Sequence, residues 1–335
     1  MKRTVTVQER SWSLRKPFII ARSARNETHT IEVRIDEDGL VGRGEATPTP
    51  RYDETMSSVR AALEAFIEAM PERLTRDALL KELAPGAARN ALDLALWDLE
   101  AKRSKADVGT LTGLGWPREV KSVQTISISP PDEMGREAYA LRDFPILKVK
   151  LNEENVLERV SAVHQNAPNV KLIVDANESW SFELLVSLAP QLAALGVEMI
   201  EQPLSALGDG CLSDYCGPVP IFADESCHTR KDLPRLKGRY DGINIKLDKA
   251  GGLTEAIALL KEARALGFDV MLGCMMSSSL GIAPAMLIAP YAKYVDVDAP
   301  QLLSGDRKGG IEIRGGEVSD LNPRLWGGRS MGLAC

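Results

Sequence analysis

With 335 residues, 44% of them hydrophobic, the chain has apolar material for one large domain or two ordinary ones. Its net charge of −6, with 41 basic against 47 acidic residues and no basic run or basic-aromatic interleaving, argues against a nucleic-acid partner. Five cysteines without a CxxC pair and three histidines (His29, His164, His228) leave little for a disulfide framework, a histidine-built zinc site or a Ser-His-Asp triad, and neither a P-loop nor a strand-GxGxxG-helix unit occurs.

The opening MKRTVTVQERSW lacks the apolar core of a signal peptide, and apolar stretches such as LGIAPAMLIAP at 280–290 are too short to span a bilayer. A cytoplasmic protein without a membrane partner is expected. Residues 1–45 alternate through TVTVQE, TIEVRIDEDG and LVGRGEA, with Asp38-Gly39 as a turn, which predicts antiparallel strands. Met56, Val59, Leu63, Phe66, Ile67 and Met70 then recur at spacings of three and four, predicting a helix over 53–70 capped by Asp53. A second helix is expected over 87–103. Residues 1–113 therefore read as a small α+β domain.

Beyond it the pattern changes. Eight short β-rich runs (SVQTISI, ILKVKL, KLIVDAN, EMIEQP, IFADES, GINIKL, DVMLGC, YVDVDA) alternate with helical segments such as 182–196 and 253–267. This α/β alternation with nearly continuous apolar strands predicts a parallel sheet, and eight strands favour a closed barrel over residues 114–314. The tail, GGIEIRGGEVSDLNPRLWGG, reads as a Gly-turned hairpin whose continuation, about 315–335, returns to the first domain.

Asp175, Glu201, Asp224 and Lys246 fall at successive strand ends, at intervals of 26, 23 and 22 residues, one βα unit each. In a β/α barrel such ends converge on one face, where these folds keep their chemistry. Three carboxylates gathered there repel one another unless a cation joins them. Hard oxygen donors favour Mg²⁺, with Mn²⁺ as second candidate, over zinc. The alternative is that each acid caps the following helix. In LKVKL at 147–151, a period of two sends Lys148 and Lys150 to one face and Leu147, Val149 and Leu151 to the other. With the apolar set facing helices, the lysines face the barrel interior, where desolvation and a neighbouring cation should lower the pKa of an amine; the alternative is lysines snorkelling to a solvated edge. Lys246 lies four strands further round, on the opposite side of an eight-strand ring. Two bases flanking one carbon suit removal of a proton from one side and its return on the other, with Mg²⁺ offsetting the charge that develops between.

Taken together, KVK at 148–150, DAN at 175–177, EQP at 201–203, ADES at 223–226 and NIK at 244–246 resemble the enolase superfamily, muconate-lactonising-enzyme subgroup. The resemblance spans nearly the whole chain, with five motifs in order. It implies a (β/α)7β TIM-like barrel under an N-terminal α+β capping domain, Mg²⁺ on Asp175, Glu201 and Asp224, Lys150 and Lys246 as acid/base pair, and Lys148 as their electrostatic neighbour. Mandelate-type members use a histidine on the seventh strand; here that strand reads VMLGCMMSSS.

VDVDAP, with Asp296 and Asp298 two apart, resembles the DxD that holds the substrate ammonium in dipeptide epimerases, although Ala299 stands where glycine is usual. LIVDANESW, ADESCHTR and INIKLDKAGGLTEA are similar to the L-Ala-D/L-Glu epimerases of that group. By the same resemblance Arg25 is the ligand of a substrate side-chain carboxylate, with Arg22 its competitor, while Arg51 and Tyr52 in RYDE, Thr125 and Cys274 to Met276 line the pocket. The implied reaction is Mg²⁺-dependent epimerisation of a dipeptide, L-Ala-D-Glu or L-Ala-L-Glu, at the Glu α-carbon, as in murein-peptide recycling. Racemisation of an N-acylamino acid such as N-acetylglutamate, o-succinylbenzoate synthesis, and a non-catalytic binding barrel are the alternatives. Monomer and homo-oligomer are both compatible with the sequence.

Overall fold

The alternating N-terminal segment folds, in a computed structural model that describes residues 3–69 and 74–328, as a three-stranded antiparallel sheet. Met70, Cys335 and the last seven residues of the C-terminal segment lie outside the described residues. Strand β1 (Arg3–Ile20) is far longer than the TVTVQE run, pairing with β2 (Ser23–Glu37) through a register shift between Ser13 and Phe18. Its second half was illegible because residues 8–17 present no buried side chain to either face. Asp38-Gly39 makes the turn to β3 (Leu40–Ala46), both with positive φ.

Ile31, Val33 and Ile35 point from β2 into a core shared with α1 (Met56–Ala69), α2 (Arg76–Glu82) and α3 (Ala87–Ser104). Glycine at 44 lets β3 lie against α3, since a Cβ there would sit 2.1 Å from the Ala91 carbonyl oxygen. The expected cap of α1 is corrected: Asp53 has left-handed φ 59° and closes a 3₁₀ turn over 50–52. Thr55 caps instead, its Oγ1 accepting from the Ser58 N–H at 3.0 Å. The short α2, capped by Thr75, carries too few residues to show a period and was not foreseen.

After α4 (Val108–Thr112), eight parallel strands follow: β4 (Gln124–Ile126), β5 (Ile146–Lys150), β6 (Lys171–Asp175), β7 (Val197–Glu201), β8 (Ile221–Ala223), β9 (Gly242–Ile245), β10 (Asp269–Leu272) and β11 (Tyr294–Val295). Neighbours in sequence are neighbours in the sheet, and the Val123 N–H donates to the Val295 carbonyl at 2.7 Å, joining first edge to last. The fold is the (β/α)7β TIM-like barrel with an N-terminal antiparallel capping layer. Its connections carry α5 (Pro131–Ala140), α6 (Val156–Asn166), α7 (Phe182–Ala194), α8 (Leu233–Leu236), α9 (Leu247–Ala250), α10 (Leu253–Ala265) and α11 (Ser279–Ile282), with a 3₁₀ turn at Asp209–Asp214 between β7 and β8.

Strand periodicity sorts the side chains. Leu147, Val149, Leu172, Val174, Ile243 and Ile245 face the helices, while Val123, Ile173, Met199, Phe222, Met271 and Tyr294 fill the barrel interior as a separate apolar plug. Beyond α12 (Ala299–Leu302), β12 (Ile313–Arg314) and β13 (Glu317–Val318) form the tail hairpin around Gly315-Gly316. The chain then returns to the capping layer, where Trp326 Nε1 donates to the Leu94 carbonyl at 3.1 Å and the Gly327 N–H to Asp98 Oδ1 at 2.8 Å. Among the described residues no helix is long and apolar enough to cross a membrane.

Candidate active site at the mouth of the barrel

One pleat beyond the apolar plug, the interior turns polar. Two residues on from Val123, Ile173, Met199, Phe222 and Tyr294 stand Thr125, Asp175, Glu201, Asp224 and Asp296; β5 adds Lys148 and Lys150, and β9 adds Asn244 with Lys246 directly after its last residue. Lys150, Asp175 and Glu201 are register partners across β5, β6 and β7, so they share one level of the ring.

The cations and anions interleave. Lys148 Nζ lies 2.8 Å from Asp296 Oδ2, 2.7 Å from Glu201 Oε2 and 3.1 Å from Asp175 Oδ2. Lys150 Nζ is 2.5 Å from Asp175 Oδ2, and Lys246 Nζ is 2.6 Å from Asp224 Oδ2. This corrects the expected direction of the amine pKa for Lys148. Burial pulls the Lys148 ammonium down, but Asp296, Glu201 and Asp175 outweigh it and hold it well above its ordinary value. Lys246 is likewise raised, Asp224 and Glu201 overcoming its burial. Among the carboxyls, burial and the Asp175 charge push Glu201 up to about 7, whereas Lys246 and Lys249 overcome burial to hold Asp224 well below the usual range.

Among the described residues no three His, Cys, Asp or Glu side chains already converge as a cation cage, because the lysines stand between them. The donor set nevertheless fits a hard cation: Asp175, Glu201 and Asp224 supply carboxylate oxygens, and Glu201 Oε2 is buried without a hydrogen bond of good geometry. Magnesium on these three would take over their attraction from the lysines.

Above this floor opens a cavity of about 410 Å³ whose wall includes Lys148, Lys150, Asp224, Lys246, Asp296 and Asp298, together with Arg25, Tyr52, Thr125, Cys274 and Met276. Sequence reasoning singled out every one of these. Asp175 and Glu201 lie beneath it, fully buried. The route by which Asp296 and Asp298 meet differs from expectation: β11 ends at Val295, and Asp298, with φ −77° and ψ −3°, opens α12. The two acids face one cavity through a turn, and Ala299 is the first helical residue. Asp298 Oδ2 accepts from the Thr125 N–H at 2.7 Å, and burial with the Asp296 charge raises its pKa to about 7. Asp296 Oδ1 is buried and unpartnered.

The capping layer supplies the roof. Arg22 donates to the Asn177 carbonyl at 2.6 Å, to Glu225 at 2.6 Å and to Glu178 at 3.0 Å, while Arg51 grips Glu178 at 2.6 and 2.7 Å. Arg25, by contrast, has no ion-pair partner among the described residues, and burial followed by the Arg22 charge lowers its pKa. Tyr52 packs edge-on against His228 with ring centroids 4.5 Å apart, and burial with the Lys249 charge brings that imidazole down to about 4.

The profile of the mandelate racemase/muconate lactonizing enzyme N-terminal domain matches residues 2–113, and that of the enolase C-terminal domain-like region matches residues 133–319. The chain belongs to the mandelate racemase/muconate lactonizing enzyme family. Within it the chain is similar to the L-Ala-D/L-Glu epimerase of Escherichia coli K12, 46% identical over 94% of this chain and 99% of that protein. It is also similar to an N-acetyl-D-glutamate racemase of Pseudoalteromonas, 43% identical over 89% and 95%. An Agrobacterium tumefaciens enolase family member solved with sodium and L-Ala-L-Glu superposes with TM-score 0.95 at 39% identity, covering 97% of this chain and 100% of that one. The Enterococcus faecalis V583 dipeptide epimerase, solved with Mg and L-Leu-L-Tyr, gives 0.89 at 29% identity over 96% and 98%. The relatives named as epimerases and racemases are isomerases.

Several residues of this family site escaped sequence reasoning. Asn244 Nδ2 donates to Glu201 Oε1 at 2.7 Å, a role legible from its place two before Lys246. Gln202, at φ 35°, accepts from the N–H groups of Asp224 and Ser226 at 2.9 and 3.1 Å. Lys249, Glu178 and Glu225 lie inside the stretches INIKLDKAGGLTEA, LIVDANESW and ADES, but no period singles them out, since loops and a one-turn helix place them. Gly273 makes room for the Lys246 side chain: a Cβ there would lie 2.5 Å from Asn244 Oδ1 and 2.9 Å from Lys246 Cε. Gly273→Ala should retain the fold, read by circular dichroism, and lower kcat by about a hundredfold by displacing the Asn244 and Lys246 side chains.

Proposed function

We propose that the protein is a divalent-cation-dependent dipeptide epimerase that inverts the glutamyl α-carbon of L-Ala-D-Glu and L-Ala-L-Glu. The observation that carries this reading is one cavity that holds Lys150 and Lys246 on opposite sides of the ring, Asp296 and Asp298 on one wall and the unpaired Arg25 in the roof. Asp175, Glu201 and Asp224 would hold Mg²⁺, with Mn²⁺ as the second candidate. The bound ion supplies Lewis-acid charge to the dipeptide's terminal carboxylate.

The chain's own residues do the rest. Asp298 and the free oxygen of Asp296 accept the substrate ammonium, which orients the dipeptide along the cavity. Arg25 meets the γ-carboxylate. One lysine, as the neutral amine, takes the α-proton while the other, as ammonium, returns one to the opposite face. Peptides with this pair of residues arise in murein-peptide recycling in the cytoplasm, the setting this reading assigns.

Incubation with L-Ala-L-Glu and Mg²⁺ in D₂O should yield L-Ala-D-Glu carrying deuterium at the glutamyl α-carbon, followed by NMR; no exchange would overturn the reading. The Pseudoalteromonas relative supports one second reading, racemisation of N-acetylglutamate, which lacks the ammonium that Asp296 and Asp298 suit. For specificity, Arg25→Met should weaken turnover of L-Ala-L-Glu by about 1.5–3 kcal/mol, read as kcat/KM, and spare a dipeptide with an apolar second residue. Equal losses on both would remove Arg25 from the γ-carboxylate.

A further inference from the structure

Asp224 is held by two lysines, one on each carboxylate oxygen. Lys246 Nζ lies 2.6 Å from Oδ2 and Lys249 Nζ 2.6 Å from Oδ1. The two differ in freedom. Lys246 forms part of the cavity wall and has open space to move into, whereas Lys249 is 1% exposed and lies off the cavity. Its ammonium has three N–H groups and three oxygens around it: Asp224 Oδ1, the Asp224 carbonyl at 2.5 Å and the Asn244 carbonyl at 2.9 Å. The one-turn helix that carries it is pinned from the capping layer, because Arg89 donates to the Ala250 carbonyl at 2.7 Å and the Gly251 carbonyl at 3.0 Å. Gly251 ends that helix at φ 73°, where a Cβ would lie 2.5 Å from Arg89 Nε.

Of the two oxygens, only Oδ2 can therefore be surrendered to an incoming cation. We propose that Lys249 is a positioning residue that restricts Asp224 to a single ligating oxygen and so tunes the cation site toward Mg²⁺ over Ca²⁺. The inference rests on the metal reading given above for Asp175, Glu201 and Asp224. Its physical basis is coordination demand. Calcium takes six to eight oxygens and accepts carboxylates through both at once, whereas magnesium needs a near-octahedral shell with shorter bonds. A carboxylate with one oxygen locked on an immobile ammonium serves the second ion and penalises the first. Removal of the ammonium's charge would strengthen both ions alike, so the ratio of their affinities isolates the geometric effect.

The test is calorimetric titration of metal-free wild-type protein and Lys249→Met with MgCl₂ and with CaCl₂, without substrate. The Mg²⁺ over Ca²⁺ preference should fall about tenfold in the variant, the lower end of what loss of a partner behind a metal ligand does to affinity. A ratio that stays within about twofold would overturn the proposal, since a purely structural role would move both affinities together. Should the variant fail to fold, a crystal structure of the Mg²⁺-loaded wild type decides: Asp224 bound through Oδ2 alone with Lys249 still on Oδ1 supports it, and a bidentate Asp224 overturns it. Wild-type protein that binds neither ion would overturn the metal reading itself, a separate failure from an unchanged ratio.

Discussion

Lys150→Ala and Lys246→Ala should each lower epimerisation of L-Ala-L-Glu by about 10²- to 10⁴-fold, the span that a positioned acid or base contributes. The two variants should not be equivalent. Lys150 follows the second barrel strand's apolar alternation and Lys246 the sixth's, so in the proposed reaction each would address one face of a substrate seated between them. With one lysine gone, the other still meets the α-proton of one epimer. Each variant should therefore exchange the glutamyl α-proton of a single epimer with D₂O while failing to invert it, and the two variants should select opposite epimers. Exchange of both epimers by either variant, or unchanged inversion, would dismiss the two-base arrangement. Because Lys148 spans Asp296, Glu201 and Asp175, neither substitution removes the charge that holds the floor together, and both proteins should stay folded.

Asp298→Asn should lower kcat/KM for L-Ala-L-Glu by about 2–4 kcal/mol, and leave exchange of N-acetylglutamate nearly unchanged, because only the dipeptide brings an ammonium. The asparagine Oδ1 can still accept the Thr125 N–H, so the turn before α12 should survive. A pH dependence follows from the same group. Burial and the Asp296 charge raise the Asp298 carboxyl to about 7. A raised acid is protonated below that pH and ionised above it, so ammonium affinity is present above about pH 7 and is lost as the pH falls. In the wild type, kcat/KM for the dipeptide divided by that for N-acetylglutamate should fall by about tenfold per pH unit below this point, and in Asp298→Asn the ratio should be flat. The division cancels the titration of the lysines, which both substrates share. Equal losses on both substrates would undercut the ammonium assignment and favour the N-acyl reading.

Legibility followed the range of the interactions involved. The barrel strands were readable because each must bury an apolar face under a helix, which leaves Leu147, Val149, Leu172 and Val174 as a local signature of period two. The same alternation betrayed the site, since Lys148, Lys150, Asp175 and Glu201 occupy positions where an interior residue would otherwise be apolar. Where no face is buried, as in residues 8–17 of β1, nothing local marked the strand. The cap of α1 was misread for a related reason: Asp53 has a good capping side chain, but the 3₁₀ turn over 50–52 left it with left-handed backbone, and Thr55 took the role.

By itself the sequence determined the alternation of elements, the ring of polar residues at strand ends and the opposition of two lysines, because side-chain period and strand order are properties of the chain. Only the tertiary structure decided which charges meet. Lys148 reaches Asp296 across 148 positions of sequence, Arg22 reaches Glu225 across 203, and Lys249 is aimed at Asp224 by an arginine from another layer. Such contacts arise from closure of the barrel and seating of the cap, and Coulomb attraction in a buried site depends on distances of a few ångströms that no spacing in sequence encodes. The Lys148 pKa turned in the direction opposite to expectation for that reason: burial was foreseeable from the pattern, but the carboxylates that outweigh it are neighbours only in space.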